Sequence, residues 1–447
     1  MEQGLTTGSV FKRIVYFSLP YLLSYFLQTL YGMADLFITG QFYGVDTITA
    51  VSNGSQIMHM MTVIIVGLAM GTTVTIGHSV GAKCMEQAEK IIGNTITLFM
   101  GIAVAFTVIL VVLVKPIVVL IAAPQEAVAG TSIYLLICFI GIPFITAYNI
   151  ISSIFRGLGD SKSPMYFIGI ACVMNIALDY LFMGAFHMGA AGAALGTVCA
   201  QTFSVLVALW VIRRRKTGIS LKKSDFKIER AVIGQVLKIG IPVALQDGFI
   251  QVAFMIITVI ANSRGVSDAA AVGVVEKVIS ALFIVPSSML ATVSALSAQN
   301  FGAGKEKRAT DTLRYATVIT TIYGMIVAVL IQFIAENVVG IFTSDTTVVT
   351  MGSAYIRSYI WDCIFAGIHF SFSGYFAACG KSYIGFLHNI ISITFVRVPG
   401  SYLASKYFTD TLYPMGLAAP AGSLVSAAIC VTAFILLKRK SRVAQTA

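Results

Sequence analysis

Charge is what this chain has least of. Its 447 residues hold 30 Lys and Arg and 19 Asp and Glu, 11% in all, against about 25% in an ordinary soluble domain. A fold that cannot cover itself with charge cannot be a water-soluble globule. The seven cysteines are odd in number (Cys84, Cys138, Cys172, Cys199, Cys363, Cys379 and Cys430), and all but Cys84 fall in apolar runs. They read as core thiols rather than disulfides or metal ligands. Also missing are a phosphate-binding glycine loop, a nucleophile constellation and a paired-cysteine motif, which excludes an enzyme and an ATP-driven pump. No cofactor is expected.

What the chain has instead is apolar length. Hydrophobic residues make up 57% and the mean hydropathy is +0.88. The runs are continuous over 20 or more residues, so they predict membrane helices and not the alternating strands of a membrane barrel. The net charge of +11 does not imply a nucleic-acid partner, because the bases cluster in short segments between apolar runs, where they report orientation in the bilayer. The start of the chain has Lys12 and Arg13 before an apolar run but no small-residue cleavage site, and is read as a retained first span.

Bounding the runs by charges and Gly/Pro clusters gives twelve spans, at 14–38, 48–78, 92–122, 128–155, 163–185, 188–212, 232–262, 269–298, 309–342, 348–378, 384–408 and 413–437. With both termini in the cytoplasm, 24 of the 30 Lys and Arg fall in or beside cytoplasmic segments. This predicts a multi-pass protein of the cell inner membrane. The densest basic patch, Arg213 to Lys216 followed by Lys222, Lys223 and Lys227, reads as a cytoplasmic linker in contact with anionic lipid. It divides the chain into an amino-terminal six-helix lobe (1–212), a linker (213–231) and a carboxy-terminal six-helix lobe (232–447).

The lobes repeat. A shift of 221 residues superposes Ala50-Val51 on Ala271-Val272, Gly81-Ala82 on Gly302-Ala303, Ser132 on Ser353, Phe155 on Phe376, and Gly159 on Gly380. Six spans per repeat is an even number, so both lobes enter the membrane in the same sense. That is a transporter architecture, with a substrate path at the repeat interface. Pro20, Pro143, Pro242 and Pro286 sit within or near the start of spans and can kink them. Gly192 and Gly196 form a small-xxx-small pair for close helix packing.

An acid inside an apolar span costs roughly 2.5 to 3.5 kcal/mol on insertion scales and marks a functional site by default. Asn175 and Asp179 lie four residues apart, on one helical face. Gln28, Tyr31 and Asp35 likewise share a face of the first span. In the first lobe Asp35 and Asp179 have no Lys or Arg at comparable depth, whereas in the second Asp247, Glu276 and Asp362 are matched by Lys277, Arg357 and Arg397. The unbalanced pair is the better candidate for taking up and releasing a cation, and the balanced set is the better candidate for structure or substrate contact. His59, His369 and His388 have no ligand-like spacing and read as satisfied core or interfacial residues. Part of the 29 Phe and 17 Met can line a pliable cavity for flat cations.

The duplicated twelve-span chain, the loops RGLGDSKSP (156–164), QNFGAGKEKRA (299–309) and SVGAKCMEQA (79–88), and the first-span pattern Pro20, Gln28, Asp35 and Gly40 resemble the multidrug and toxic compound extrusion (MATE) transporters of bacteria. The resemblance covers essentially the whole chain. It implies two six-helix lobes forming a V, alternating access, and export of amphipathic, cationic organic compounds in exchange for entering Na+ or H+, by a monomer. It also implies a cation-coupling site of Asp35, Asn175, Asp179 and Thr197, an oxygen-rich set that suits Na+ and equally suits a proton shared between carboxylates. Substrate-path candidates are Gln28, Tyr31, Asp247, Gln251, Lys277, Asp362 and Arg397. Another branch of the family has a Glu on the seventh helix and an Asp on the tenth. Here Ile250 or Gln251 stands at the first position and Asp362 lies about one turn from the second. The alternatives are a flippase for lipid-linked saccharides, with Lys277, Arg357 and Arg397 gripping a pyrophosphate, and a membrane scaffold or sensor without flux.

Overall fold

The computed structural model describes residues 4–214 and 219–446. Arg215 and Lys216 of the basic linker lie outside the described residues. Sixteen α-helices run in order: α1 (Val10–Phe42), α2 (Val45–Gly81), α3 (Met85–Leu120), α4 (Gln125–Ile140), α5 (Ile142–Gly157), α6 (Lys162–Asp179), α7 (Gly189–Arg214), α8 (Arg230–Asn262), α9 (Val266–Leu282), α10 (Ile284–Gly302), α11 (Glu306–Gly340), α12 (Thr346–Tyr359), α13 (Asp362–Ala378), α14 (Ser382–Ser392), α15 (Val398–Tyr407) and α16 (Tyr413–Thr446). No strand occurs among the described residues.

Merging helices across one- or two-residue breaks and π-helical turns leaves twelve rods, which match the predicted spans. The pair α4 and α5 bends by 51° at Gly141, and Pro143 stands in the first turn beyond the bend. Proline lacks the amide hydrogen that would continue the ladder, so it is tolerated at that restart. Phe283 separates α9 from α10 in the same way, with Pro286 following. By contrast α12 and α13 part at Ile360 and Trp361 with no proline nearby, and the restart residue is Asp362. Two π-helical turns, Tyr180–Ala185 after α6 and Ile393–Arg397 after α14, interrupt the eleventh rod and its counterpart in the first half. Such bulges widen the helix and frequently accompany functional sites.

Among the described residues, eight helices are long and apolar enough to cross a membrane, or nine with the bent α4–α5 pair. Three rods fall short: α1, α12 with α13, and α14 with α15. They carry Gln28 and Asp35, then Arg357, Asp362 and His369, then His388, Asn389 and Arg397. Spans that hold polar groups lose mean apolarity, and that loss marks where chemistry is placed.

Contacts divide the chain into two compact units, one formed mainly by Val15–Ala244 and the other mainly by Leu245–Phe301 and Lys305–Ala447. In the first, a core of Ile38, Ala50, Val51, Tyr134, Cys138, Phe139, Met183, Ala193 and Ala194 joins the end of α1, the start of α2, α4, the π-helical turn after α6 and the start of α7. In the second, Ala271, Val272, Val275, Ala328, Tyr355, Ile356, Tyr359 and Cys363 do the same for α9, α11, α12 and α13. The described part of the linker stays with the first unit. Ser220 N donates to Glu89 at 2.6 Å, Asn94 donates to the Asp225 carbonyl at 3.1 Å, and Glu229 N donates back to Asn94 Oδ1 at 2.7 Å.

Candidate cation site

Four first-unit residues predicted to bind a cation come from three helices and meet in the protein interior. Asp35 is 2% exposed, Asn175 and Asp179 are 0% and Thr197 is 9%. Thr197 Oγ1 donates to Asp35 Oδ2 at 3.3 Å across 162 residues of sequence. The carboxyl groups of Asp35 and Asp179 adjoin, and Asn175 acts on both. Asp35 Oδ1, both oxygens of Asp179 and both polar atoms of the Asn175 amide have no hydrogen-bond partner. Among the described residues no Lys or Arg forms an ion pair with either carboxylate. Two uncompensated acids with unused oxygens, sealed from solvent, cannot both remain charged without a cation or a proton.

Local structure explains how the acids come so close. Asp179 ends α6, and the π-helical turn Tyr180–Ala185 begins at the next residue. That turn is held from α1. Tyr43 hydroxyl donates to the Met183 carbonyl at 3.0 Å, and Thr39 Oγ1 donates to the Asp35 carbonyl at 2.6 Å while lying 3.5 Å from Met183 Sδ. Gly189 N then donates to the Tyr43 hydroxyl at 2.9 Å and fixes the start of α7. On α7, Gly196 lies directly against the Asp179 carboxylate. Gly196, expected with Gly192 to serve helix packing, therefore also makes room for the site, whereas Gly192 packs against Phe182, Met183 and Met188. Thr39, Tyr43 and the π turn were not legible as parts of it. The first two stand at one-turn spacing after Asp35, which is the signal that could have found them.

The rest of the polar face of α1 divides. Tyr31 hydroxyl donates to the Thr197 carbonyl at 3.4 Å and so borders the site. Gln28 is half-buried and takes no part in it.

In the second unit the expected three-against-three balance is not how the charges pair. Arg357 is taken by Glu336, which the sequence tally did not count, with Nη2 at 3.2 Å from Oε1. Lys277 is exposed on its helix, and Asp247 and Gln251 are half-buried. Arg357, one of the three bases proposed to grip a pyrophosphate, is paired with Glu336 instead. Arg397, from the π turn Ile393–Arg397, instead acts on Glu276 and Asp362. Its Nη2 donates to the Tyr359 hydroxyl, and its guanidinium carbon lies 5.0 Å from the Phe254 ring centroid and 5.6 Å from that of Tyr359. Phe254 and Tyr359 were not singled out from sequence, where nothing distinguishes them from other aromatics.

Two of the histidines also differ from expectation. His388 Nε2 lies 2.9 Å from Ser373 Oγ, but Nδ1 of both His369 and His388 has no partner, and the two rings stand 5.3 Å apart. They are buried but not fully satisfied. His59 is exposed on α2. Four of the cysteines, Cys138, Cys172, Cys363 and Cys430, are buried free thiols, as expected.

A duplicated bundle of membrane-crossing helices with a charge-bearing interior is the architecture of a membrane transporter. The MatE family profile matches the chain twice, at residues 20–181 and 242–403, and the chain belongs to that family, the multidrug and toxic compound extrusion transporters. The double match places the two halves in one lineage, as the 221-residue register implied. Among relatives, a probable multidrug resistance protein YpnP of Bacillus subtilis (strain 168) is 30% identical over 413 residues, 92% of each chain. A second from the same organism, probable multidrug resistance protein YoeA, is 25% identical over 433 residues, 95% of this chain and 94% of that one. A MATE protein crystallised in complex with MaL6 superposes with a TM-score of 0.90 at 20% identity, covering 99% of each chain, and shows the same twelve-helix, two-lobe fold.

Proposed function

We propose that this protein is a secondary antiporter that expels amphipathic organic cations from the cell while Na+ or H+ enters. The observation that carries the reading is the pair of buried carboxylates, Asp35 and Asp179, with three of their four oxygens unpartnered and no ion-pair partner among the described residues. Such a pair has a charge state that must change with the cation it holds. Asn175 supplies an amide oxygen and Thr197 a hydroxyl, so the donor set fits a monovalent hard cation. A proton shared between the acids is served by the same geometry. Asn175 would orient toward whichever is present, and Thr197 would hold Asp35 in place through its existing hydrogen bond.

Coupling follows if the cation binds one opening of the lobes better than the other, because a ligand shifts an equilibrium only by its differential affinity. The names of the relatives, multidrug resistance proteins, support a broad organic cargo. The distribution of bases supports an inner-membrane orientation with both termini in the cytoplasm, and the complete site within one unit supports a working monomer.

The test is efflux of a fluorescent organic cation from vesicles holding purified protein, driven first by a Na+ gradient and then by a pH gradient. Asp35→Asn and Asp179→Asn are each expected to abolish gradient-driven efflux at unchanged protein content. Efflux at the unmutated rate in either variant overturns the reading.

A further inference from the structure

The second unit holds a cationic group in a setting built for one. Arg397 lies over Phe254 and against Tyr359, whose hydroxyl it bonds, and Glu276 and Asp362 are close enough to act on it electrostatically. Aromatic faces attract a cation through the ring quadrupole, and carboxylates add the counter-charge. Yet the fit is loose. No nitrogen of Arg397 comes within ion-pair distance of either acid, Arg397 Nε is unpartnered, and both oxygens of Asp362 are unpartnered although that residue is 0% exposed. Glu276 Oε1 is likewise unpartnered, while Oε2 accepts from Thr258 at 3.4 Å.

Had Arg397 been there only to neutralise an acid, a planar guanidinium and a carboxylate would be expected to close into paired hydrogen bonds. Here two acids share one base and neither closes on it. The carboxylate oxygens that Arg397 leaves unpartnered are acceptors available to a further cation. Position adds to this. Asp362 is the first residue of α13 at the proline-free break in its rod, and Arg397 ends the π-helical turn before α15. Both groups therefore stand at irregular points of their helices, where small backbone changes move a side chain most easily.

We propose that Phe254, Tyr359, Glu276 and Asp362 form a binding subsite for the organic cation cargo, and that Arg397 is a tethered competitor occupying it when cargo is absent. Arriving cargo displaces the guanidinium from the rings, and its return helps expel the cargo. The ligand class rests on the antiport reading above, and the experiment separates the two.

Equilibrium binding of ethidium and of tetraphenylphosphonium is measured on the full-length protein in lipid nanodiscs. Removing the competitor with Arg397→Gln is expected to lower Kd at least tenfold for one or both probes. Adding Asp362→Asn or Phe254→Ala to that variant is expected to cancel the gain. Millimolar guanidinium chloride, far below denaturing concentrations, is expected to compete with the probe in Arg397→Gln and to have little effect on the unmutated protein. Unchanged or weaker binding in Arg397→Gln overturns the proposal, and weaker binding would assign Arg397 to an anionic cargo instead. Should Arg397→Gln fail to fold, the guanidinium experiment is run on Arg397→Lys, whose ammonium lacks the stacking plane; there too a Kd no lower than that of the unmutated protein is the overturning result. Loss of ion-driven efflux by the unmutated protein, with the binding pattern intact, removes the antiport reading and leaves the subsite standing.

Discussion

A β-carbon on Gly196 would stand 2.1 Å from Asp179 Oδ1 and 3.2 Å from its Cγ. No side-chain atom can be accommodated at that distance, so the glycine on α7 is the reason the acid at the end of α6 fits where it does.

Gly196→Ala is therefore expected to displace the Asp179 carboxylate. Inserting a methylene into a packed interior costs about 1–3 kcal/mol, and here part of that strain falls on the proposed cation site. Ion-driven efflux should drop at least tenfold while the protein remains in the membrane. Gly192→Ala is the comparison, since its β-carbon meets Met183 Cγ at 3.0 Å and the Phe182 carbonyl carbon at 3.1 Å. A thioether side chain can yield a few tenths of an ångström, so this variant should keep most of its transport. Equal losses in both would show that helix spacing, and not the carboxylate, is what glycine protects.

The linker offers a second measurement. Asn94, 1% exposed, holds the linker's second half at two points by donating to the Asp225 carbonyl and accepting from Glu229 N. Gly93 lets the strand lie flat, for a β-carbon there would come within 2.3 Å of the Asp225 oxygen. Asn94→Ala removes two hydrogen bonds worth about 1 kcal/mol each and leaves a buried carbonyl unpaired. Trypsin should then cut at Lys222, Lys223 and Lys227 several-fold faster than in the unmutated protein. A cleavage rate that does not change would mean that the contacts of Glu89 and Thr97 hold the linker without Asn94.

Arg264 is the corresponding fastener in the second unit. It pairs with Asp268 at 2.7 Å and donates to the carbonyls of Ser405, Phe408, Thr409 and Thr411. Its side chain is only 6% exposed, so this is not a surface ion pair of negligible value. Truncation to Ala removes four hydrogen bonds and leaves the largely buried Asp268 without its ion pair, at a cost of about 3–5 kcal/mol. Thermal unfolding of the detergent-solubilised protein should fall by several degrees. Glu336→Gln, which breaks the more exposed pair with Arg357, should shift it by a degree or less.

Sequence by itself determined the helical class, the twelve rods and the duplication, because each rests on a local pattern. Apolar length selects membrane helices, and a repeated register survives wherever the same residues recur at a fixed shift. The one-turn spacing of Asn175 and Asp179 was equally legible, being a property of a single helix. Tertiary structure alone decided which distant groups meet. Asp35 and Thr197 lie 162 residues apart, and bottom-up periodicity could place each on a face but not turn the two faces together; only likeness to a family put them in one site. Charge counting failed for the same reason. Arg357 and Glu336 pair across two helices, while Arg397 settles among aromatic rings beside two acids it does not close upon. A tally of charges records what must be compensated. Which charge compensates which depends on the rotation of each helix and on the irregular turns that aim its side chains, and those are fixed only when the helices pack.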